Sequence, residues 1–259
     1  MIQEETNISQ PSIDGNAAPV IQIRGLFKSF GKQNDILKGV SLTVNKGENL
    51  VILGKSGSGK SVTIKCLVGL VTADKGEIKV FDTDITSLSY SALNAIRVRI
   101  GFLFQNAALY DSMTVRQNLE FPLKRHSKEL SDEEANIVVT EALESVGLAD
   151  AIDKTPSELS GGMRKRIGLA RTLILKPEII LYDEPTTGLD TITSREISEL
   201  ILAIQKKNKT TSMIITHDMA CAKLTADRLV ILKDGVIVAE GTYDELEKSE
   251  DEWVRSFFI

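Results

Sequence analysis

A glycine-rich loop ending in Lys and Ser is the chemically most informative part of the sequence. It reads Gly54-Lys55-Ser56-Gly57-Ser58-Gly59-Lys60-Ser61, which fits the pattern G-x-x-x-x-G-K-[ST] and lies between a strand-like and a helix-like segment. Glycines let successive backbone N–H groups converge on an anion, and the N-terminus of the next helix adds positive potential. Lys60 would supply a charge for the β- and γ-phosphates and Ser61 a hydroxyl ligand for Mg²⁺. The loop therefore predicts a nucleotide site; the alternative is a glycine turn without a ligand.

Two acids directly follow an apolar run and suit the rest of such a site. After Ile179–Tyr182, Asp183 could hold Mg²⁺ through the ion's coordination shell. Glu184 could orient or deprotonate a water. His217, just past the strand-like residues 212–216, could donate to the γ-phosphate. The alternatives are two solvated acids at a strand end and a structural histidine.

A second helix start has the composition of an anion site. Ser160, Gly161 and Gly162 precede a helix that carries Arg164, Lys165, Arg166 and Arg171. Ser-Gly-Gly before a helix exposes several backbone N–H groups at its positive end. By itself this is also the pattern of an N-cap followed by flexible glycines, but two such helix starts in one chain favour phosphate binding at both.

The elements that must position these groups alternate between strands and helices. Ser61–Leu70 is apolar almost all round, which is typical of a helix buried on most sides. Residues 41–44 and 49–53 are predicted as two strands joined by a tight turn at Asn45-Lys46-Gly47. Further strands are expected at 20–26, 78–81, 100–104, 179–182, 212–216, 228–232 and 236–239. The alternation predicts an α/β fold with a largely parallel sheet.

Between Gln105 and Ser160 the strand pattern disappears. Ser131 to Glu134 form a capping box that opens an amphipathic helix, and Gly147 marks its end. We therefore expect a helical subdomain inserted at about residues 105–160. Residues 1–19 are polar and acidic, and we expect a disordered tail there; residues 246–259 form a second tail.

Composition excludes several classes of protein. With 259 residues, 42% of them hydrophobic and 26% charged, the chain suits one domain carrying a subdomain. With a net charge of −5, the chain has no overall positive potential that would attract nucleic acid or anionic lipid. We find no secretion or transit signal and no apolar run of about eighteen residues, so we expect a protein that stays where it is made and does not span a membrane. Cys66 and Cys221 are expected to be buried free thiols, the alternative being a disulfide.

Six motifs together resemble the ATP-binding cassette (ABC) family over about residues 20–245. In chain order they are the Walker A motif Gly54–Ser61, the Q-loop Gln105, the signature Leu159–Met163, the Walker B motif and following Glu in Tyr182–Pro185, the D-loop Gly188–Asp190 and the H-loop His217. The resemblance implies a P-loop NTPase (RecA-like) core with an antiparallel β subdomain and an inserted α-helical subdomain. It also implies an ATPase coupled to transport.

Site roles follow from the same resemblance. Gln105 would be a Mg²⁺ ligand and, with Glu184 and His217, a catalytic residue. Phe30 would stack on adenine, the alternative being ordinary core, and Val62 would lie beside the phosphates. Ser160, Gly161 and Gly162 would bind the ATP of a second copy, so that a homodimer encloses two ATP molecules. Met163, Val62 and Phe30 depart from the commonest Gln, Thr and Tyr, and none of these changes removes a phosphate, metal or water contact.

One branch of the family, the ATPases that energise Mla/Mce-type phospholipid transport, has motifs that look like those of this sequence at residues 104–115, 159–166 and 182–190. That branch implies two transmembrane permease subunits, a lipid-binding Mce-type protein and a peripheral place on the cytoplasmic side of the inner membrane. The apolar residues between Ala107 and Met113 would form either a groove that receives a permease helix or part of the core of the helical subdomain. The apolar end Glu252–Ile259 would dock on its own body or on a partner.

Two other functions compete with a transporter ATPase. A soluble ABC ATPase acting on nucleic acid usually has tandem cassettes or a long coiled coil before the signature, and this sequence has a single cassette without heptads there. A P-loop kinase would leave the signature and His217 without roles. We therefore expect no direct nucleic-acid partner.

Overall fold

The computed structural model describes residues 19–31, 35–126 and 130–258, which form two sheets and their flanking helices. The strands are β1 (Pro19–Ser29), β2 (Asp35–Asn45), β3 (Asn49–Leu53), β4 (Lys75–Val80), β5 (Thr83–Asp84), β6 (Ile100–Leu103), β7 (Ile179–Asp183), β8 (Thr211–Ile215), β9 (Arg228–Lys233) and β10 (Val236–Gly241). The helices are α1 (Lys60–Leu67), α2 (Tyr90–Val98), α3 (Val115–His126), α4 (Asp132–Ser145), α5 (Gly161–Leu173), α6 (Thr191–Asn208), α7 (Met219–Thr225), α8 (Tyr243–Glu247) and α9 (Glu252–Arg255). No helix in these ranges is both long and apolar enough to cross a bilayer.

The larger sheet confirms the predicted α/β class. Its six strands follow the order β10-β9-β3-β8-β7-β6, and all neighbours except the β10–β9 pair are parallel. The smaller sheet is antiparallel, with the order β2-β1-β4-β5. Because β3, β7 and β8 are buried along their whole length, they need cover on both faces, which the helices and the small sheet provide.

Side-chain alternation in β3 divides the interior into two hydrophobic clusters. Val51 and Leu53 belong to the cluster that includes residues of α5 and α6, whereas Leu50 and Ile52 belong to the cluster shared with α1 and the antiparallel sheet. This is the period of two that a strand imposes. The end of β3 is therefore packed on both faces, and this packing fixes the position at which the glycine-rich loop begins.

The predicted tight turn after Asn45 joins β2 to β3, with Glu48 N donating to Asn45 O at 3.1 Å, and the two strands enter different sheets. β2 alternates buried and exposed residues and suits a half-exposed sheet, while the fully apolar β3 requires the core. Helix α1 ends at Leu67, before the predicted Leu70, because Gly69 has φ of +66° and stops it.

Helices α3 and α4 lie in the region after Gln105. Ser131 and Glu134 form the predicted capping box, with Ser131 N donating to Glu134 Oε2 at 2.8 Å. Sequence reasoning did not predict α3, which contains Pro122. The missed signal is Thr114-x-x-Gln117, whose side chains accept from each other's backbone N–H at 3.3 and 2.9 Å before the helix begins.

The C-terminal segment packs on its own chain. Val254 is buried in the core, and Trp253 lies under the Lys233 ammonium, 4.1 Å from ring centroid to Nζ. Phe258 meets Tyr243 edge-on at 5.0 Å. The boundary expected at residue 245 falls inside α8. Of the predicted N-terminal tail, Pro19 begins β1 and residues 1–18 lie outside the described part.

Candidate functional site

A cavity of about 590 Å³ opens at the carboxyl ends of the parallel strands. It is lined by residues 55–62 of the loop and α1, and by Ile36, Gln105, Glu184 and His217. The loop follows β3, Glu184 follows β7 and His217 lies just past β8, three neighbouring strands of one sheet. Side chains far apart in sequence thus meet at one edge, where α/β sheets usually bind ligands.

Two glycines explain the path of the loop. A Cβ at Gly54 would lie 2.4 Å from Leu232 O, so only glycine lets the loop leave β3 this close to β9. Gly59, the residue before α1, has φ of +107°, a conformation that L side chains rarely adopt. Residues 55–59 of the loop line the cavity before α1 begins.

Lys60 is buried, and its Nζ points back into the loop. It donates to Gly54 O at 2.7 Å and lies 3.8 Å from Glu184 Oε1. Burial lowers the pKa of Lys60, while the charges of Glu184 and Asp183 act in the opposite direction. A phosphate entering the cavity would meet an ammonium already paired with a carboxylate, so the pair must rearrange when a nucleotide binds.

Ser61 and Asp183 form the oxygen pair that a Mg²⁺ site would need. Ser61 Oγ donates to Asp183 Oδ1 at 2.8 Å, and the carboxylate is buried at the end of β7. Within residues 19–31, 35–126 and 130–258, no three His, Cys, Asp or Glu side chains cluster as a metal centre. One carboxylate and one hydroxyl beside a phosphate cavity suit Mg²⁺, because this ion keeps waters and takes further ligands from the phosphates.

Glu184 has an unusual backbone and a well-defined carboxylate. Its φ is +52°, a left-handed conformation that is costly for a residue with a Cβ. Oε2 accepts from Thr187 Oγ1 at 3.1 Å and lies 2.8 Å from His217 Nδ1. The His217 ring is largely exposed. Glu184 also lines the cavity, where its carboxylate could take a proton from water.

Lys165 is the residue that sequence reasoning missed at this site. We counted it among the basic residues of the helix after Ser160, but it is buried, with 5% of its surface exposed. Its Nζ donates to Gln105 O and to Glu184 O, the latter at 3.0 Å. Burial lowers the pKa of Lys165 to about 8. The available signal was its spacing, since Lys165 shares the buried face of α5 with Gly162 and Leu169.

The cavity lining leaves out some predicted site residues of the described chain. Phe30 is 47% exposed, with Lys28 Nζ 5.3 Å from its ring centroid. Ser160 is the N-cap of α5, accepting from Met163 N at 3.2 Å. Gly162 packs against α6, where a Cβ would lie 2.5 Å from Thr193 Cγ2. Residues 160–162 thus lie outside their own chain's cavity, and Gly162 also has a packing reason to be glycine.

A mainly parallel sheet with a glycine-rich loop between β3 and α1 defines a P-loop nucleoside triphosphatase. The sequence matches the ABC transporter family over residues 37–187. The chain belongs to this family, and it is an ATP-binding subunit of an ABC transporter that hydrolyses ATP.

Curated relatives cover nearly the whole chain. It is 42% identical to the probable ribonucleotide transport ATP-binding protein mkl of Mycobacterium leprae, over 92% of this chain and 68% of that protein. It is 39% identical to TRIGALACTOSYLDIACYLGLYCEROL 3, chloroplastic, of Arabidopsis thaliana, over 95% and 75%. It is 40% identical to the methionine import ATP-binding protein MetN of Rhizobium etli, over 90% and 63%. The chain therefore spans about two thirds to three quarters of these relatives' lengths.

A solved structure gives the same fold. The dimeric, post-hydrolysis structure of the ATP-binding cassette MJ0796 bound to ADP and Pi aligns with a TM-score of 0.79 and 31% identity. The alignment covers 86% of this chain and 98% of that one. The expected P-loop core with an antiparallel subdomain is thereby confirmed.

Proposed function

We propose that this chain hydrolyses Mg²⁺-ATP with the residues that meet at the cavity. The observation that carries the proposal is the convergence of Lys60, the Ser61–Asp183 pair and Glu184 on one space of about 590 Å³. The loop N–H groups and Lys60 bind the β- and γ-phosphates. Phe30 stacks on adenine, and Val62 lies beside the phosphates.

Each remaining group has a role that suits its position. Ser61, Asp183 and Gln105 would hold Mg²⁺, which neutralises charge developing on the phosphates. When the γ-phosphate takes the place of Glu184 beside Lys60, the Glu184 carboxylate is released to accept the proton of the attacking water. His217, now 2.8 Å from Glu184, donates to the γ-phosphate. This exchange of partners links nucleotide binding to activation of the base.

We further propose that two copies complete each site. Ser160, Gly161 and Gly162 lie at the N-terminus of α5, outside their own cavity, where they can reach the ATP of a second chain. The dimeric state of MJ0796 supports this arrangement.

Mixing two inactive variants tests the paired site. Lys60→Ala should abolish phosphate binding in its own chain, and Ser160→Arg should block the α5 N-terminus offered to the partner. In a mixed dimer, one site combines the intact loop of the second variant with the intact α5 of the first. We expect partial recovery of ATPase activity on mixing, whereas each variant alone stays inactive. Absence of recovery in verified mixed dimers would favour a self-contained P-loop enzyme.

For the transported substrate we propose a lipid, in a transporter of the Mla/Mce type. The chain would work as a homodimer on the cytoplasmic side of the inner membrane, under two permease subunits and with a lipid-binding Mce-type protein. The branch-like motifs at residues 104–115, 159–166 and 182–190 support this. So does the relative named after a galactolipid, TRIGALACTOSYLDIACYLGLYCEROL 3. Direct binding to nucleic acid has no part in this function.

An amino-acid importer is the second candidate, because the methionine import protein MetN is 40% identical. Purifying the tagged chain with its native membrane complex separates the two. A co-purifying permease and Mce-domain protein, together with bound phospholipid, would support lipid transport. A co-purifying amino-acid-binding lipoprotein would overturn it.

A further inference from the structure

Helix α5 contacts its own chain's ATP site through the buried side chain of Lys165. The Lys165 ammonium donates to the main-chain oxygens of Gln105 and Glu184. Gln105 follows β6 and Glu184 follows β7, so this one group joins the ends of two neighbouring strands. Bonds from a charged donor are roughly twice as strong as neutral ones, which suits Lys165 to fixing both segments.

Both segments have backbone conformations that need such support. Glu184 has φ of +52°. Ala107 and Ala108, which follow shortly after Gln105, have φ of +56° and +49°. Left-handed conformations at residues other than glycine persist only where surrounding contacts hold them. Helix α5 holds this stretch at a second point, since Arg171 donates to Ala107 O at 2.8 Å and to Ala108 O at 2.9 Å. Only Lys165, of these two, also reaches Glu184.

The same helix begins with the residues that we assign to a partner's ATP. Ser160 caps α5, and Lys165 lies five residues later, about 7.5 Å along the helix axis. Because Lys165 lies this near the α5 N-terminus, the test of its role must separate its own chain's ATP site from the partner's.

We propose that Lys165 is a positioning residue for ATP hydrolysis in its own chain. The ammonium fixes the main chain at Glu184 and Gln105 so that the carboxylate points at the water. The inference rests on the proposed ATP site of this chain. The positioning step stands on contacts within one chain.

Steady-state kinetics of Lys165→Met test the positioning step. Methionine keeps the length and loses the donor, so kcat should fall at least tenfold while the Kd for ATP stays within twofold. Lys165→Arg, which keeps a charged donor, should recover much of kcat. Lys206→Met, a loss of an exposed lysine on α6, is the matched control and should behave as wild type. Circular dichroism gives the folded fraction used to normalise each rate. A wild-type kcat in Lys165→Met, an equal loss in Lys165→Arg, or a parallel loss of ATP binding would overturn the proposal.

Placing Lys165→Met in the mixed dimer tests which site it serves. In the pair Lys60→Ala plus Ser160→Arg, the working Glu184 belongs to the Ser160→Arg chain. Lys165→Met added to that chain should remove the recovered activity, and added to the Lys60→Ala chain it should leave activity within twofold. Equal losses or the reverse pattern would overturn the inference. If the parent pair shows no recovery, the two-chain site fails, and the kinetics of Lys165→Met still decide the positioning role.

Discussion

At the scale of residues, the polar groups of the site pair with one another in the absence of a nucleotide. Lys60 lies 3.8 Å from Glu184 Oε1, and His217 Nδ1 lies 2.8 Å from Oε2 of the same carboxylate. Ser61, whose hydroxyl is uncharged, donates a hydrogen bond to the Asp183 carboxylate. Lys60 and His217 suit phosphate, and Glu184 suits water. Ser61 and Asp183 suit the metal. The charges of buried groups are balanced without ligand, which limits the cost of keeping them away from water.

Separating binding from turnover tests these roles. Glu184→Gln keeps the side chain's size and removes the base, so ATP should still bind while kcat falls by two orders of magnitude or more, consistent with loss of a general base. Lys60→Ala should weaken ATP binding itself. Fluorescent-nucleotide titration and phosphate release measure the two effects. Undiminished hydrolysis by Glu184→Gln would rule out the role assigned to Glu184.

At the scale of elements, the structure divides the apolar stretch after Gln105 into core and surface. Ala107 is buried against Gly168 of α5, and Leu109 packs on the main core. Tyr110 is 45% exposed and lies 5.2 Å, between ring centroids, from the exposed Phe121 of α3. The core interpretation thus applies to Ala107 and Leu109, and the exposed aromatic pair is the part that a permease helix could contact.

Carboxylates placed at the two neighbouring positions should have different effects. Leu109→Asp puts a charge against the core and should lower the melting temperature of the isolated chain. Tyr110→Asp should melt close to wild type and bind ATP normally, but release the chain from the membrane fraction. Thermal unfolding and co-purification with the permease, measured on both variants, check this. A Tyr110→Asp chain that still co-purifies would place the permease contact elsewhere.

At the scale of the whole molecule, what the sequence could predict depended on whether a signal was local. The apolar strands, the loop and the capping box at Ser131 depend on neighbours in the chain, and all lie close to their predicted positions. The separation of β2 from β3 and the burial of Lys165 depend in part on distant partners: Asn49 of β3 pairs with Ser212 of β8, and Lys165 donates to Gln105, 60 residues away. No local pattern identifies those partners.

Arg228 shows how such distant contacts join the two sheets. Its side chain, 4% exposed on β9, is paired with Glu48 after β2 at 2.6 Å and with Glu240 on β10, and it donates to Thr43 O on β2 at 2.6 Å. Removing it leaves Glu48 buried without its cation. Arg228→Met should therefore lower the free energy of unfolding by about 3–5 kcal/mol in urea titrations.

Arg195→Met provides the control for that measurement. Arg195 pairs with Glu199 at 2.9 Å on the exposed face of α6, and exposed pairs contribute about 0–1 kcal/mol. Equal unfolding midpoints for the two variants would show that Arg228 does not hold the sheets together.

Formation of a nucleotide-dependent dimer tests the central claim most directly. Glu184→Gln should bind ATP without hydrolysing it, so the two-chain state should accumulate. In sedimentation equilibrium with Mg²⁺-ATP we expect the Glu184→Gln chain to have twice the 28.4 kDa monomer mass. With ADP, or when the same chain also carries Ser160→Arg, we expect the monomer mass. A monomer at saturating ATP, or a dimer indifferent to both nucleotide and Ser160→Arg, would contradict an ATP site shared between two chains.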